Sequence, residues 1–85
     1  MDTLGRVILL NQEKNRGAIR TEKSEYTVFH KLSPGDIDVG DEVYGNLDSL
    51  GNNFLTNLTK GSLLIINIQD THGVVAAKAK RLVGI

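Results

Sequence analysis

The chain has 85 residues, enough for one small domain, with 40% hydrophobic and 24% charged residues, the composition of an ordinary soluble globular fold. Ten Lys and Arg balance ten Asp and Glu, which excludes a uniformly basic nucleic-acid glove and an acidic tail but leaves room for a local basic patch. The absence of cysteine removes disulfides, thiolate nucleophiles and Cys-based zinc sites.

The first residues, Met1 to Arg6, show no basic segment leading into a long apolar run, so no signal peptide is read there. The longest apolar stretches, such as Leu63 to Ile66, fall far short of the ~20 residues of a membrane span. The expectation is a single domain over residues 1–85, cytoplasmic and without a membrane partner.

Nine glycines and one proline punctuate short runs of β-branched and aliphatic residues, a pattern of strands joined by turns. Strands are predicted at Gly5–Asn11, Arg16–Thr21, Tyr26–Lys31, Glu42–Leu47, Asn53–Leu58, Ser62–Gln69 and Gly73–Leu82. Between them, Gln12-Glu13-Lys14-Asn15 ends in Asn, which tolerates the left-handed conformation of a tight reversal. Glu22-Lys23-Ser24-Glu25 is a second polar turn, and Ser33-Pro34-Gly35-Asp36 has the Pro-Gly order of a type II turn. Asp48 to Asn53 is a polar connection, and Asp70-Thr71-His72-Gly73 is read as closing a last hairpin. Ala76, Ala77, Lys78 and Ala79 are good helix formers, so a terminal helix is the alternative to the last strand.

Two strands are apolar on both faces: Val7-Ile8-Leu9-Leu10 and Leu63-Leu64-Ile65-Ile66. Strict alternation sends half of such side chains to water unless something covers them. The cover is either the hairpin between Glu42 and Leu58 or a second subunit.

The segment Gly5-Arg6-Val7-Ile8-Leu9-Leu10-Asn11-Gln12-Glu13-Lys14-Asn15-Arg16-Gly17-Ala18-Ile19 resembles the start of a cold-shock domain, Gly-x-Val-Lys-Trp-Phe-Asn-x-x-Lys-Gly-Phe-Gly-Phe-Ile. Gly5, Val7, Asn11, Lys14, Gly17 and Ile19 match. Thr27-Val28-Phe29-His30 is similar to the family's Val-Phe-Val-His motif, with His30 retained, and His72 to Ala79 is similar to its closing strand. The resemblance implies a small all-β, OB-type (cold-shock-like) barrel of five strands, here with an extra hairpin between Glu42 and Leu58. An SH3-like barrel is the nearest alternative.

The resemblance also implies binding of single-stranded RNA or DNA. Where the family carries base-stacking aromatics, this chain has Leu9, Leu10, Arg16, Ala18 and Val28. Stacking contributes roughly 1–3 kcal/mol per base, so three lost platforms remove roughly 3–9 kcal/mol. Binding is then expected to be weak, sequence-tolerant and led by charge, through a strip of Lys14, Arg16, Arg20, His30 and Lys31. Arg16, Ala18 and Arg20 share one strand face by the period of two, with His30 and Lys31 on the neighbouring strand. The competing reading of that strip is a solvated face paired with Glu22 and Glu25.

No catalytic residue, cofactor motif or metal site is assigned. Asp36, Asp38, Asp41 and Glu42 resemble the start of a calcium loop but put Gly40 where a ligand belongs. His30 and His72 have no third ligand in view, and the turn serines Ser24, Ser33, Ser49 and Ser62 join no His–acid motif. The chain is not expected to be an enzyme. The functional alternative to nucleic-acid binding is a protein-interaction or self-association module, a homodimer or a complex with another protein. It rests on the missing aromatics, the zero net charge and the two doubly apolar strands.

Overall fold

The computed structural model describes residues 2–71 and 73–84. Six strands and one helix follow in chain order: β1 (Thr3–Asn11), β2 (Arg16–Thr21), β3 (Tyr26–Lys31), β4 (Glu42–Gly45), β5 (Gly51–Asn57), β6 (Ser62–Asp70) and α1 (Ala76–Val83). The strands form a closed barrel in the order β1-β2-β3-β6-β5-β4, every pairing antiparallel. The small all-β barrel read from the sequence is therefore present, consistent with the OB type. It consists of two three-strand meanders joined at β3–β6 and β1–β4, and the β4–β5 hairpin is an integral part of the wall.

Alternation places Val7, Ile19, Phe29, Val43, Leu55, Leu64, Ile66 and Ile68 in the barrel interior, all buried. Two loop residues close its ends. Ile37, from the connection between β3 and β4, packs into the core, and its carbonyl accepts from Gln12 Nε2 at 3.2 Å. At the opposite end Leu47 is buried, with its carbonyl accepting from Thr27 Oγ1 at 2.9 Å and Thr71 Oγ1 at 3.2 Å. These two hydroxyls give a buried carbonyl the partners that water cannot reach.

Gly17 sits where three groups converge. A Cβ there would lie 2.7 Å from the Phe29 ring and 2.8 Å from the Leu9 carbonyl, so only a residue without a side chain lets β1, β2 and the core ring close up.

The last stretch departs from the expected strand. Residues 76–83 are helical, and the closing hairpin read at Asp70–Gly73 is absent among the described residues; His72 lies outside them. Ala76 to Leu82 is a run of strong helix formers apart from its spacing of apolar residues, and Ala79, Leu82 and Val83 recur at helical intervals. Gly84 ends the helix in the left-handed conformation (φ 89°), its N–H donating to the Lys80 and Arg81 carbonyls.

Tertiary packing decides the outcome. Ala79 and Val83 of α1, with Val74 before it, bury against Ala18 and Val28 on the outside of the barrel, flanked by Ile8, Leu9, Tyr26 and Leu82. A β-bulge between Val7 and Leu9 allows β1 to put both Ile8 and Leu9 against this second cluster while Val7 and Leu10 pack with the interior. The cover over β1 is thus the C-terminal helix and not the β4–β5 hairpin.

Candidate interaction surfaces

The helix divides the outer surface of the barrel into two unlike halves. Across β1–β2–β3, the positions that the cold-shock resemblance assigns to stacking are occupied or turned away. Leu9, Ala18 and Val28 belong to the cluster beneath α1, and Leu10 packs against the interior core. Arg16 Nη1 donates to the Leu82 carbonyl at 3.4 Å, and Asn11 Nδ2 donates to the Val83 and Gly84 carbonyls at 3.1 and 3.2 Å. These bonds satisfy carbonyls that a helix end leaves without intrahelical donors.

The predicted basic strip is split by this arrangement. Arg16 and His30 are opposite one another in register. Ala18, beneath the helix, separates them from Arg20, which faces Arg6 on β1 and Tyr26 on β3. Lys14 lies in the β1–β2 turn, close to Gly84. Lys31 lines the barrel mouth beside Leu10, Phe29 and Ile37 instead of joining the outer face. Lys14, Arg16, His30 and Lys31 therefore gather at one end, where the last turn of α1 adds Lys80 and Arg81, and Arg20 stands apart.

Among the described residues Lys14, Arg16, Arg20, Lys31, Lys80 and Arg81 have no carboxylate within ion-pair distance, whereas Arg6, Lys23, Lys60 and Lys78 do. Glu22, expected as a partner of the strip, accepts instead from Thr3 Oγ1 at 3.0 Å and the Leu4 N–H at 3.4 Å. Arg6 and Arg20 border a shallow open cleft of about 430 Å³ lined also by Leu4, Ile8, Glu22 and Glu42. Arg6 is held there by Glu42 at 2.9 Å.

The acidic loop that resembled a calcium site is a structural tie. Asp41 Oδ2 accepts from the Asp38 N–H at 3.0 Å, Asn57 Nδ2 at 2.8 Å and Lys60 Nζ at 2.7 Å, and Asp38 joins Lys60 at 2.9 Å. Burial pushes the Asp41 carboxyl up, but the Lys60, Asn57 and Asp38 donors outweigh it and hold it below its ordinary value. The three donors converge on its Oδ2. Among the described residues no group of three metal-binding side chains stands together, and no helix is long and apolar enough to cross a membrane.

Among the described residues no helix covers the other half of the barrel wall. On the outside of β4–β5–β6 the register aligns Leu4, Tyr44, Thr56 and Leu63 in one row across four strands. Phe54 pairs with Ile65 in the next, and Leu32 follows by its N–H bond to the Ile65 carbonyl at 2.9 Å. Phe54 is 64% exposed and Leu63 61%, and Leu4, Leu32, Tyr44 and Ile65 are exposed as well. Beyond them the face continues in amides, with Asn67 Nδ2 donating to Asn52 Oδ1 at 2.8 Å.

From Tyr44 through Phe54 and Thr56 to Leu63, Ile65 and Asn67, none of these outward positions is charged, in a chain where charged residues make up 24%. The sequence marked Leu63 and Ile65 as needing cover. It did not single out Phe54, Tyr44 and Leu32 as their neighbours, because that grouping depends on cross-strand register. No family model, no curated protein and no solved structure matches the chain.

Proposed function

We propose that the chain is a protein-interaction module on an OB-type barrel, acting in the cytoplasm and docking through the outer face of β4–β5–β6. The partner surface is itself apolar and uncharged. The observation that carries this reading is the contiguous set of Leu4, Leu32, Tyr44, Phe54, Leu63 and Ile65, exposed and free of charge. Taking ~200 Å² for a large apolar side chain, these six expose about 600 Å², at the upper end of the ~300–600 Å² of the largest patch on a typical monomer. Depletion of charge with retention of aromatics is the compositional mark of an interface centre.

A second reading, weak and sequence-tolerant binding of single-stranded RNA or DNA, is favoured by the cations that have no carboxylate partner among the described residues. Lys14, Arg16, His30 and Lys31 lie beside Lys80 and Arg81 at the helix end, and Arg20 would extend the contact. Against it stand the helix over the sheet face and the separation of the exposed rings, Phe54 and Tyr44, from every member of that cluster.

A backbone-amide NMR titration with a mixed single-stranded oligonucleotide pool, at low and moderate salt, decides between the readings. The interaction module predicts an unchanged spectrum at both. Shifts at Lys14–Arg20 and His30–Lys31 that fade as salt rises, the signature of counterion release, would overturn it in favour of charge-led nucleic-acid binding.

A further inference from the structure

Three features of the β4–β5–β6 face narrow the kind of partner it takes. The strands close into a ring in which each has a neighbour on both sides, so no outer strand stands free for a partner to extend, and contact is made by side chains across the face. The centre of the face is uncharged, with Asp2 beside Tyr44 and Phe54 and Glu42 at its margin, so a partner bringing a charge to that centre would bury it unpaired. Its anatomy is that of an interface cut open, with Phe54, Leu63 and Ile65 central and the Asn52–Asn67 amide pair and the Arg6–Glu42 ion pair at the borders.

A surface that is apolar, uncharged at its centre and of this size is present on one molecule the protein always meets: another copy of itself. We infer that the outer face of β4–β5–β6 packs against the same face of a second copy about a two-fold axis. This inference rests on the interaction-module reading above. An isologous contact brings identical patches together, so the uncharged centre on one side meets an uncharged centre on the other, with Asp2 and Glu42 left at the rim. With the interleaved amides and Thr56, each copy contributes area approaching the ~800 Å² per partner of a standard interface.

Sedimentation velocity of the full chain from micromolar to millimolar concentration tests the inference. The expected result is a concentration-dependent species of twice the 9.3 kDa protomer mass. Phe54→Asp and Ile65→Asp should each weaken association on the order of 100-fold, as loss of a central apolar anchor does, while circular dichroism stays native. Phe54→Thr and Ile65→Thr keep strand propensity and should weaken it in the same direction, which guards against misreading a folding defect. Leu50→Asp, in the β4–β5 turn and 67% exposed, should leave association unchanged.

A wild-type chain that stays monomeric to millimolar concentration overturns the self-pairing, as does a dimer indifferent to the Phe54 and Ile65 substitutions. Either result, with the oligonucleotide titration silent, removes the second copy as occupant and leaves the interaction-module reading standing. Oligonucleotide binding at the helix end removes that reading itself.

Discussion

The Asn11 side-chain amide reaches the Val83 carbonyl at 3.1 Å across 72 positions of sequence, fastening the end of the first strand to the last turn of the helix. The same amide donates to the Gly84 carbonyl, and Asn11 Oδ1 accepts from the Lys14 N–H at 3.3 Å. One side chain thus serves both the β1–β2 turn and the helix end.

Asn11→Ala should release α1 locally without unfolding the barrel. The loss of its bonds is expected to cost about 1–2 kcal/mol, read as a roughly 10-fold rise in hydrogen-exchange rates of the α1 amides. Asn11→Asp keeps the turn acceptor but sets a carboxylate against helix carbonyls and the negative end of the helix dipole, so it should loosen α1 at least as much. Unchanged exchange in α1 for both variants would show that the apolar cluster alone retains the helix.

Acid should weaken the tie at Asp41. Its carboxyl is held below the ordinary 3.8, so its stabilisation is fully present above that value and is lost as pH falls through the lowered one. Lys60 is raised above its ordinary 10.5 by hydrogen bonds to Asp41 and Asp38, so its share persists below that value and is lost as pH rises through the higher one. In thermal melts, Asp41→Asn should be less stable than wild type throughout the window between 3.8 and 10.5, and the two curves should converge below it as the wild-type carboxyl takes up its proton. A gap that stays constant into strong acid contradicts this account. Asp70, lowered by its hydrogen bond from Lys78, adds a separate acid-sensitive contact between β6 and α1.

Arg20 faces Arg6 directly across the β1–β2 ladder, and like charges so placed repel. Arg20→Glu should raise stability by about 0.2–1 kcal/mol at low ionic strength, with the gain shrinking at high salt. A loss of stability at low salt would mean that Arg20 has favourable surroundings which outweigh the repulsion.

Gly17→Ala should be costly because the added methyl meets the Phe29 ring and the Leu9 carbonyl below 3 Å. Overpacking of this kind costs about 1–3 kcal/mol, and denaturant titration should register it with an unchanged slope. Gly61, whose φ is 68° with open space around it, gives a contrasting case in which Ala is penalised by backbone conformation alone.

The strands were legible because their runs of β-branched and aliphatic residues end at polar or glycine-bearing turns. β2 and β3 have the bounds the sequence predicts, and β6 extends one residue further, to Asp70. The helix was legible only as an alternative. Ala76 to Ala79 suits either element in isolation, and the decisive partners, Ala18 and Val28, lie more than fifty positions earlier. Gly84 at the C-cap with Lys80 and Arg81 in the last turn was the available sequence signal.

The two doubly apolar strands had different fates for the same reason. A period-two pattern sends half of each strand outward, Ile8 and, through the bulge, Leu9 on β1, Leu63 and Ile65 on β6, but does not say what lies over them. The helix reaches the first pair and leaves the second to solvent.

The closed ring of strands also bears on how this surface can change over generations. Because each strand of the wall has a neighbour on both sides, the folding information sits mainly in the inward alternate positions, while partner choice is confined to the outward ones. Substitutions at Phe54 or Leu63 can redirect binding while the interior that specifies the barrel is left intact. Such a molecule can exchange one companion for another by drift at a few exposed codons, with little selection against the intermediates.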